Sequence, residues 1–330
     1  MHLSADRLRN RVVGATAEAG LGRILVTGAA GFIGRGLCSE LARRGHVVLG
    51  ATRGPGHRIT GVELRPVGDI GPQTVWSDHL AGVDIIIHLA TRAHRPPNAA
   101  AGEVEVKAAA ALAHAAAAAR VRRFVLISSL RSMGETTQPA SPFRAGDPVR
   151  PGDLYGRTKL AIEEALMAVA RHTGLDMVII RPPLVYGPCP KGNLRALMRG
   201  VASGLPLPFA GVDNRRSLIG LDNLVDLAAI ACVHPAARGQ VLLARDMADL
   251  STPGLIRALA AGLGSPARLF SIPSAYITAV TRLPVFGAVF SRLTTSLQAD
   301  DAETRRMLGW SPSVATENGI AAMARAYRRQ

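Results

Sequence analysis

The stretch Arg23-Ile-Leu-Val-Thr-Gly-Ala-Ala-Gly-Phe-Ile-Gly34 carries the clearest indication of the fold. Its first five residues predict a short strand, and its glycines at 28, 31 and 34 predict a tight turn. Apolar residues then recur at helical spacing until Gly45, which predicts the end of a helix. A strand, a glycine-rich turn and a helix in this order allow backbone amides to bind a pyrophosphate at the helix N-terminus. The stretch therefore predicts a dinucleotide site that uses Gly28, Gly31 and Gly34.

Segments typical of buried strands recur along the first 190 residues and alternate with segments typical of helices. Further strands are predicted at 46–51, 83–90, 123–129 and 176–180, and another ends at 67–70. This alternation predicts an α/β fold, a Rossmann-type doubly wound parallel sheet with a smaller C-terminal substrate lobe. After residue 190 the predicted elements become shorter and richer in glycine and proline.

The same changes in texture suggest how the chain is divided. We expect an N-terminal extension at 1–21, a dinucleotide-binding domain at 22–188, and a mainly substrate-binding lobe at 189–330. Within the last part, residues 217–243 are expected to return to the dinucleotide-binding domain.

A second informative stretch is Asp153-Leu-Tyr-Gly-Arg-Thr-Lys159. Tyr155 and Lys159 are four residues apart in a predicted helix, so they lie on one face, one turn apart. An ammonium group beside a phenol stabilises the phenolate, which makes the tyrosine a candidate general acid and base. Lysine stands at only three positions, 107, 159 and 191, among the 39 basic residues of the chain. The spacing alone leaves a solvated Tyr and Lys on a helix surface as the alternative.

The residues after the second strand bear on the choice of cofactor. An acidic side chain there would bind the adenosine ribose and select NAD, whereas this chain has Thr52 and Arg53. Arg53 can pair with a 2′-phosphate, so the sequence slightly favours NADP over NAD. One more surface arginine in an arginine-rich chain is the alternative. Asp69, after the third strand, can accept a hydrogen bond from the adenine amine.

Composition narrows the class of protein. The net charge is +15, but no basic run with interleaved aromatic residues occurs, so we do not expect nucleic-acid binding. The three cysteines are scattered, which predicts neither a metal site nor a disulfide framework and favours the cytoplasm. No apolar run is long enough to span a bilayer. The apolar but proline-interrupted segment 272–297 leaves peripheral membrane contact open.

Together these motifs resemble those of the extended short-chain dehydrogenase/reductases of the NAD-dependent epimerase/dehydratase family. They occur in the family's order, at Thr27–Gly34, His88–Ala90, Ser128–Ser129, Tyr155–Lys159 and Arg181–Pro188. The resemblance extends over about residues 22–330. Within the family, the chain is similar to the UDP-glucose 4-epimerase-like branch. That branch includes reductases acting on 4-keto UDP-N-acetyl sugars.

The resemblance implies a role for each matching residue. Ser129 bonds the substrate oxygen, Tyr155 is the acid and base, and Lys159 bonds the nicotinamide ribose. Arg216 binds the UDP diphosphate, and Asn193 also contacts the nucleotide sugar. The cofactor-binding residues implied are Gly28, Gly31, Phe32, Ile33, Gly34, Asp69, Ile70, Leu89, Ala90, Tyr155, Lys159, Pro182 and Val185, and the argument on the second strand adds Arg53.

The sequence leaves three functions open. The first is a UDP-sugar 4-epimerase with tightly held NAD, and the second is a UDP-4-keto-sugar reductase or 4-dehydrogenase with exchangeable NADP(H). The third is a non-catalytic, cofactor-sensing protein. Leu130 and Arg131 stand where the family's 4,6-dehydratases carry Asp-Glu, so elimination of water is not expected. A UDP-sugar is the expected small-molecule partner, and a homodimer is left open.

Overall fold

The structure is a computed structural model that describes residues 22–91, 98–138, 140–190, 192–273 and 287–329. The predicted extension at 1–21 and part of the apolar segment 272–297 lie outside these residues. Within the described ranges no helix is long and apolar enough to cross a membrane.

Strands and helices alternate through the first half of the described chain. The strands are β1 (Arg23–Thr27), β2 (Val47–Thr52), β3 (Val62–Pro66), β4 (Ile85–His88), β5 (Arg123–Ile127), β6 (Asp176–Arg181), β7 (Leu184–Tyr186), β8 (Leu218–Gly220) and β9 (Val241–Leu243). The helices are α1 (Phe32–Arg43), α2 (Ser77–Leu80), α3 (Ala99–Ala118), α4 (Leu154–Thr173), α5 (Gly192–Ala202), α6 (Leu221–Val233), α7 (Thr252–Leu263), α8 (Gly287–Thr294), α9 (Ala302–Leu308) and α10 (Thr316–Arg328). Short 3₁₀ turns occupy Leu130–Ser132 and Pro235–Ala237.

The main sheet has seven parallel strands in the order β3-β2-β1-β4-β5-β6-β9. The chain runs outward from β1 to β3 and then crosses to the other side at β4. This crossing creates the switch point at which doubly wound sheets bind ligands. The predicted α/β fold with a doubly wound parallel sheet is confirmed. A second, two-stranded parallel sheet pairs β7 with β8.

Alternating side chains of the strands build a core on each face of the main sheet. In β1, Ile24 and Val26 pack in the cluster that includes α1 and α6. Leu25 points to the other face and packs with Leu112 of α3 and Leu166 of α4. Because successive strand residues face opposite sides, a strand covered on both faces is apolar on both, as the central residues Ile24, Leu25 and Val26 of β1 are.

The C-terminal elements have a core of their own. Met198 of α5, Ile256 and Leu259 of α7, and Ile320 and Met323 of α10 are all buried in it. Between α6 and α7 the chain returns to the main sheet, where β9 pairs with β6. We propose, as the sequence suggested, that the elements of this core belong to a substrate-binding lobe.

A buried carboxylate joins the small sheet to α6. Asp246 is fully buried and accepts hydrogen bonds from Tyr186 Oη at 2.6 Å, Asn223 Nδ2 at 2.7 Å and Gly220 N at 3.0 Å. Burial and the bond to Asp246 raise the pKa of Tyr186, so its hydroxyl remains a donor. This network fixes the end of β7, and thereby the segment that follows β6.

Candidate active site

The candidate site lies at the edge of the main sheet where β1, β4, β5 and β6 end. The parallel register aligns Thr27 with His88, and Ile127 with Ile180, so the strands end at the same level. The segments that follow these strands contain most of the predicted site residues. The fold therefore brings together motifs that are far apart in the sequence.

The glycine-rich turn is closely packed. Gly28 has a positive φ of 71°, and a Cβ added to it would lie 3.1 Å from the Ala90 nitrogen. A Cβ on Gly34 would lie only 2.2 Å from the Gly28 carbonyl oxygen. Larger residues at these two positions would separate the turn from α1 and from the end of β4. The turn thus needs glycine for backbone contact, as the sequence predicted.

The N-terminus of α1 faces this turn without a side-chain cap. Gly31 is the N-cap residue, and no side chain among the described residues accepts a hydrogen bond from the first-turn amides. Phe32 and Ile33 form that first turn, and both are half-buried. Uncapped amides at the start of a helix are suited to binding phosphate oxygens. The turn and helix therefore fit the predicted pyrophosphate.

Tyr155 and Lys159 lie on α4 as the spacing predicted. The Nζ atom of Lys159 is 5.9 Å from the centroid of the Tyr155 ring. Lys159 is only 4% exposed, yet no described residue accepts a hydrogen bond from its Nζ. An ammonium at the end of an enclosed side chain, with its donors unused by the described residues, is suited to a ligand that supplies oxygen atoms.

The hydroxyl of Ser129 donates no hydrogen bond to any residue in the described part of the chain. Its oxygen accepts a hydrogen bond from the Arg131 backbone nitrogen at 3.2 Å. The adjacent Leu130 nitrogen donates to the Pro182 carbonyl at 2.8 Å, which holds this turn against the end of β6. The hydroxyl can therefore donate a hydrogen bond to a ligand while its oxygen accepts from Arg131.

Close backbone packing brings the Ser129 turn against the start of α4. A Cβ on Gly156 would lie 2.3 Å from the Arg131 carbonyl oxygen. Asp153 caps this helix, accepting from the Gly156 nitrogen at 2.8 Å. Glycine at 156 therefore permits the contact between the segments that carry Ser129 and Tyr155.

Arg131 adds a guanidinium beside Tyr155 that the sequence analysis did not assign to the site. Its Cζ atom is 5.7 Å from the centroid of the Tyr155 ring. Its Nη2 atom pairs with Asp153 and, at 2.9 Å, with Glu135. The charge of Arg131 is thus compensated by two carboxylates, and the pair with Asp153 links the Ser129 turn to the helix cap.

Arg216 and Arg292 belong to the same cluster, and within the described residues neither has a carboxylate closer than 4.0 Å. Arg216 Nη1 donates to the Thr295 carbonyl at 3.0 Å, and Arg292 Nη2 is 4.0 Å from Asp153. Burial lowers the pKa of Arg216 to about 10, and the positive charges of Arg131 and Arg292 act in the same direction. A depressed guanidinium pKa indicates positive charge that an anionic ligand would stabilise. Arg292 was not predicted from the sequence.

The predicted adenosine end of the site is more exposed. Arg53 Nε lies 3.4 Å from Asp69 Oδ1, and both side chains are largely exposed. Thr52 is buried and donates its hydroxyl to the Gly54 carbonyl at 3.0 Å. The hydroxyl proton of Thr52 is therefore engaged, and we leave Thr52 out of a phosphate site. The structure brings Arg53 and Asp69 together, but they pair with each other.

A second arginine contacts the loop that follows β2. Arg35, in the first turn of α1, donates from Nη2 to His57 Nδ1 at 3.4 Å and from Nε to the Ala30 carbonyl at 3.2 Å. Arg35 follows Gly34 directly, so its backbone belongs to the predicted pyrophosphate-binding turn. No local pattern identified it, because its partner His57 lies 22 residues away.

The remaining predicted residues differ in how closely they are tied to the site. The Leu89 and Ala90 nitrogens donate to Thr27 Oγ1 at 3.2 and 3.3 Å. Pro182 is buried, whereas Ile70 and Val185 are half-buried. Asn193 is exposed at the start of α5, and no hydrogen bond or ion pair within the described residues joins it to the other site residues. The described residues hold no cluster of His, Cys, Asp or Glu suited to a metal ion.

His88 is a buried imidazole at the end of β4. Its Nδ1 atom is 2.8 Å from Thr27 Oγ1, which already accepts from two backbone nitrogens. Thr27 must therefore donate its proton to Nδ1, and the neutral ring is protonated on Nε2. Burial, together with the charge of Lys159, lowers the pKa of His88 to about 3.

Comparisons with known proteins agree with this architecture. Residues 24–244 match the model of the NAD dependent epimerase/dehydratase family. The chain is 36% identical over 318 residues to a UDP-glucose 4-epimerase of Vibrio cholerae, an alignment that covers 92% of this chain and 95% of the relative. It is 30% identical over 333 residues to a UDP-glucose 4-epimerase of Mycolicibacterium smegmatis, an alignment that covers 93% of this chain and 99% of that relative.

The fold is also similar to that of solved structures. The UDP-glucuronic acid 4-epimerase from Bacillus cereus in complex with NAD superimposes with a TM-score of 0.75 at 22% identity, covering 93% of this chain and 97% of that one. At this identity the likeness supports the fold alone.

We expect His88 to make the protein less stable in acid. Its pKa is about 3 when folded and 6.5 in the reference state, so below about pH 6.5 the unfolded chain binds the extra proton. Acidification from about pH 7.5 to pH 5 should therefore lower the free energy of unfolding by about 2 kcal/mol through this residue. Urea unfolding at both pH values measures the loss.

The control is His88→Asn, whose amide oxygen can still accept from Thr27 but does not titrate. The test is the pH dependence of this variant and not its overall stability. Between about pH 7.5 and pH 5 its free energy of unfolding should fall by about 2 kcal/mol less than that of the wild type. An identical pH dependence in both proteins would contradict the assignment.

Proposed function

The chain belongs to the NAD dependent epimerase/dehydratase family, and we propose that within it the protein acts at C4 of a UDP-sugar, as a 4-epimerase does. The carrying observation is Lys159, a residue only 4% exposed whose Nζ lies beside the Tyr155 ring and forms no hydrogen bond to the described residues. Such an arrangement suits a group that stabilises a phenolate and bonds a ligand hydroxyl. Two relatives named as UDP-glucose 4-epimerases, aligned over almost the whole chain, support the same class of substrate.

The residues present fit a dinucleotide. The amides behind Gly31 would hold the pyrophosphate, Asp69 would bond the adenine, and Lys159 would bond the nicotinamide ribose. Pro182 and Val185 would flank the nicotinamide. When bound, the nicotinamide supplies the acceptor and donor of hydride that reaction at the sugar carbon requires.

Proton transfer would fall to Tyr155 and Ser129. The phenolate of Tyr155 accepts the proton of the 4-hydroxyl group while the sugar carbon is oxidised. Ser129 would donate a hydrogen bond to the same substrate oxygen, and Lys159 would stabilise the phenolate. Once the 4-keto sugar has exposed its other face, return of the hydride to C4 and of the proton from Tyr155 to the 4-oxygen would yield the epimer.

The arginine cluster would bind the diphosphate of UDP. Arg216 is largely buried, and its one side-chain hydrogen bond within the described residues goes to a carbonyl oxygen rather than to a carboxylate. Arg292 is held only loosely by Asp153, at 4.0 Å. Two guanidinium groups that lack close counter-ions suit the two negative charges of a diphosphate.

A second candidate function is a 4-keto-sugar reductase with exchangeable NADP(H). It would use the same Tyr155, Lys159 and Ser129 in one direction. The basic side chains of Arg53 and Arg35 beside the loop after β2 favour it, since either can pair with a 2′-phosphate. Cofactor that remains bound through gel filtration would favour the epimerase, and cofactor that is lost would favour the reductase.

We expect Tyr155→Phe to lower kcat by about 10²–10⁴-fold because the general acid and base is removed. Calorimetry should find the affinities for UDP and cofactor nearly unchanged. Interconversion of UDP-sugars measures turnover, and Tyr327→Phe on α10 is the control. A Tyr155→Phe protein that keeps more than half of the wild-type kcat would rule out this role.

We expect Arg216→Ala to weaken UDP binding by about 10-fold or more, since a hydrogen bond to a charged group contributes about 1.5–3 kcal/mol. Cofactor affinity should stay the same. Arg215→Ala is a matched control, because Arg215 is the neighbouring residue and is exposed. Equal UDP affinity in both variants, measured by calorimetry, would remove Arg216 from the proposed site.

We expect Arg53→Ala to lower the affinity for NADP about 10-fold and to leave that for NAD almost unchanged, because only NADP carries the 2′-phosphate. Arg58→Ala, in the same loop, is the control. Fluorescence titration with both reduced cofactors measures the difference. If the affinities for NADP and NAD fall equally in Arg53→Ala, Arg53 does not bind the 2′-phosphate. That result would support the epimerase with NAD.

A further inference from the structure

A buried ion pair lies beneath the candidate site. Arg181 Nη2 is 2.6 Å from Glu163 Oε2, and Arg181 Nε is 3.1 Å from Oε2 and 3.3 Å from Oε1. Glu163 is 3% exposed and Arg181 is 6% exposed. Two nitrogens of a rigid guanidinium therefore hold the carboxylate in one orientation.

Ser128 is the third member of this group. It is 5% exposed, and its hydroxyl donates to Glu163 Oε1. Its backbone nitrogen donates to the Ile180 carbonyl at 2.8 Å. Ser128 is thus fixed both to α4 and to β6 at the point where β5 ends.

Each member of the group is a close neighbour of a proposed site residue. Ser128 precedes Ser129, and the extended backbone there directs the two side chains to opposite sides. Glu163 lies one helical turn after Lys159 on α4. Arg181 ends β6, immediately before Pro182. The group therefore joins the three segments that carry the proposed site.

Stability alone is a weak reason for burying these charges. Removing two ions from water is costly, and apolar residues of similar volume often give equal or greater stability. An apolar cluster would not form hydrogen bonds, whose fixed directions here join the end of β5, α4 and the end of β6.

We propose that Glu163, Arg181 and Ser128 position Ser129 and the Tyr155 helix for proton transfer. The inference rests on the proposed function and adds three positioning residues to it. They touch neither substrate nor cofactor. Their effect is on geometry, for which a displacement of about 1 Å can cost about 100-fold in rate.

The test replaces the group by apolar residues in the full-length protein. The triple variant Ser128→Ala, Glu163→Leu, Arg181→Met leaves no member of the group unpaired. We expect its Tm to stay within a few degrees of the wild type and its affinities for UDP and cofactor within about twofold. The kcat for the UDP-sugar should fall about 10–100-fold. A kcat within twofold of the wild type would overturn the proposal.

The structure offers a matched control at the opposite ends of the same two strands, β5 and β6. Arg123 begins β5, Asp176 begins β6, and they form a largely buried pair at 2.8 Å, with Arg123 also donating to the Ala231 and His234 carbonyls. The variant Arg123→Met, Asp176→Leu also exchanges one buried ion pair for apolar residues. Its kcat should stay at the wild-type value, whatever its Tm. An equal loss of kcat in this control would mean that any buried pair matters, and would overturn the assignment.

A second variant covers failure of the triple variant to fold. Ser128→Ala removes one bond and keeps the ion pair, and it should lower kcat several-fold without changing KM. Unchanged kcat in this variant would overturn the proposal.

Hydrogen exchange separates failure of this inference from failure of the proposed function. If the wild type turns over no UDP-sugar, the proposed function fails, yet amide exchange still reports on the group. Exchange in residues 128–134 and 153–160 should rise in the triple variant but not in the Arg123→Met, Asp176→Leu control. Unchanged exchange in both segments would overturn the positioning role.

Discussion

Parallel pairing of the strands is the constraint on which the site depends. Every neighbour in the main sheet is parallel, so all strand ends of one polarity lie along one edge. The register then sets how far each strand reaches, with Thr27 opposite His88 and His88 opposite Leu126. A shift by one residue in one pairing would turn its side chains to the wrong face. Site residues from distant parts of the sequence lie close together at this edge because each follows the end of a parallel strand.

The cations at and beneath the candidate site fall into two groups with different consequences. Arg181 is neutralised by Glu163, and Arg131 by Asp153 and Glu135. Lys159 and Arg216 are mostly buried, and within the described residues neither forms an ion pair with a carboxylate. The first group serves the architecture, because its charge is already compensated. The second group retains positive charge that a ligand can compensate, which is what separates a binding cation from a structural one.

Local sequence patterns predicted those features that depend on neighbouring residues. The glycine turn and the Tyr155–Lys159 spacing follow from backbone geometry within a few residues, and the predicted fold class and family are confirmed. Contacts across the fold were beyond such patterns. Tyr186 donates to Asp246, 60 residues away, and Arg292 of α8 approaches Asp153, the residue that caps α4. The engaged hydroxyl of Thr52 was also unforeseen, since its acceptor depends on the path of the loop after β2.

The short separation between Glu163 and Arg181 has a consequence for how the chain folds. They are 18 residues apart, so α4 and β6 close a small loop, which costs little chain entropy. Pairing of β6 with β9, by contrast, must wait for Val241. Arg181, the counter-ion of Glu163, is also synthesised soon after α4 and before the C-terminal third of the chain. The charge of Glu163 can therefore be compensated without any residue from that third.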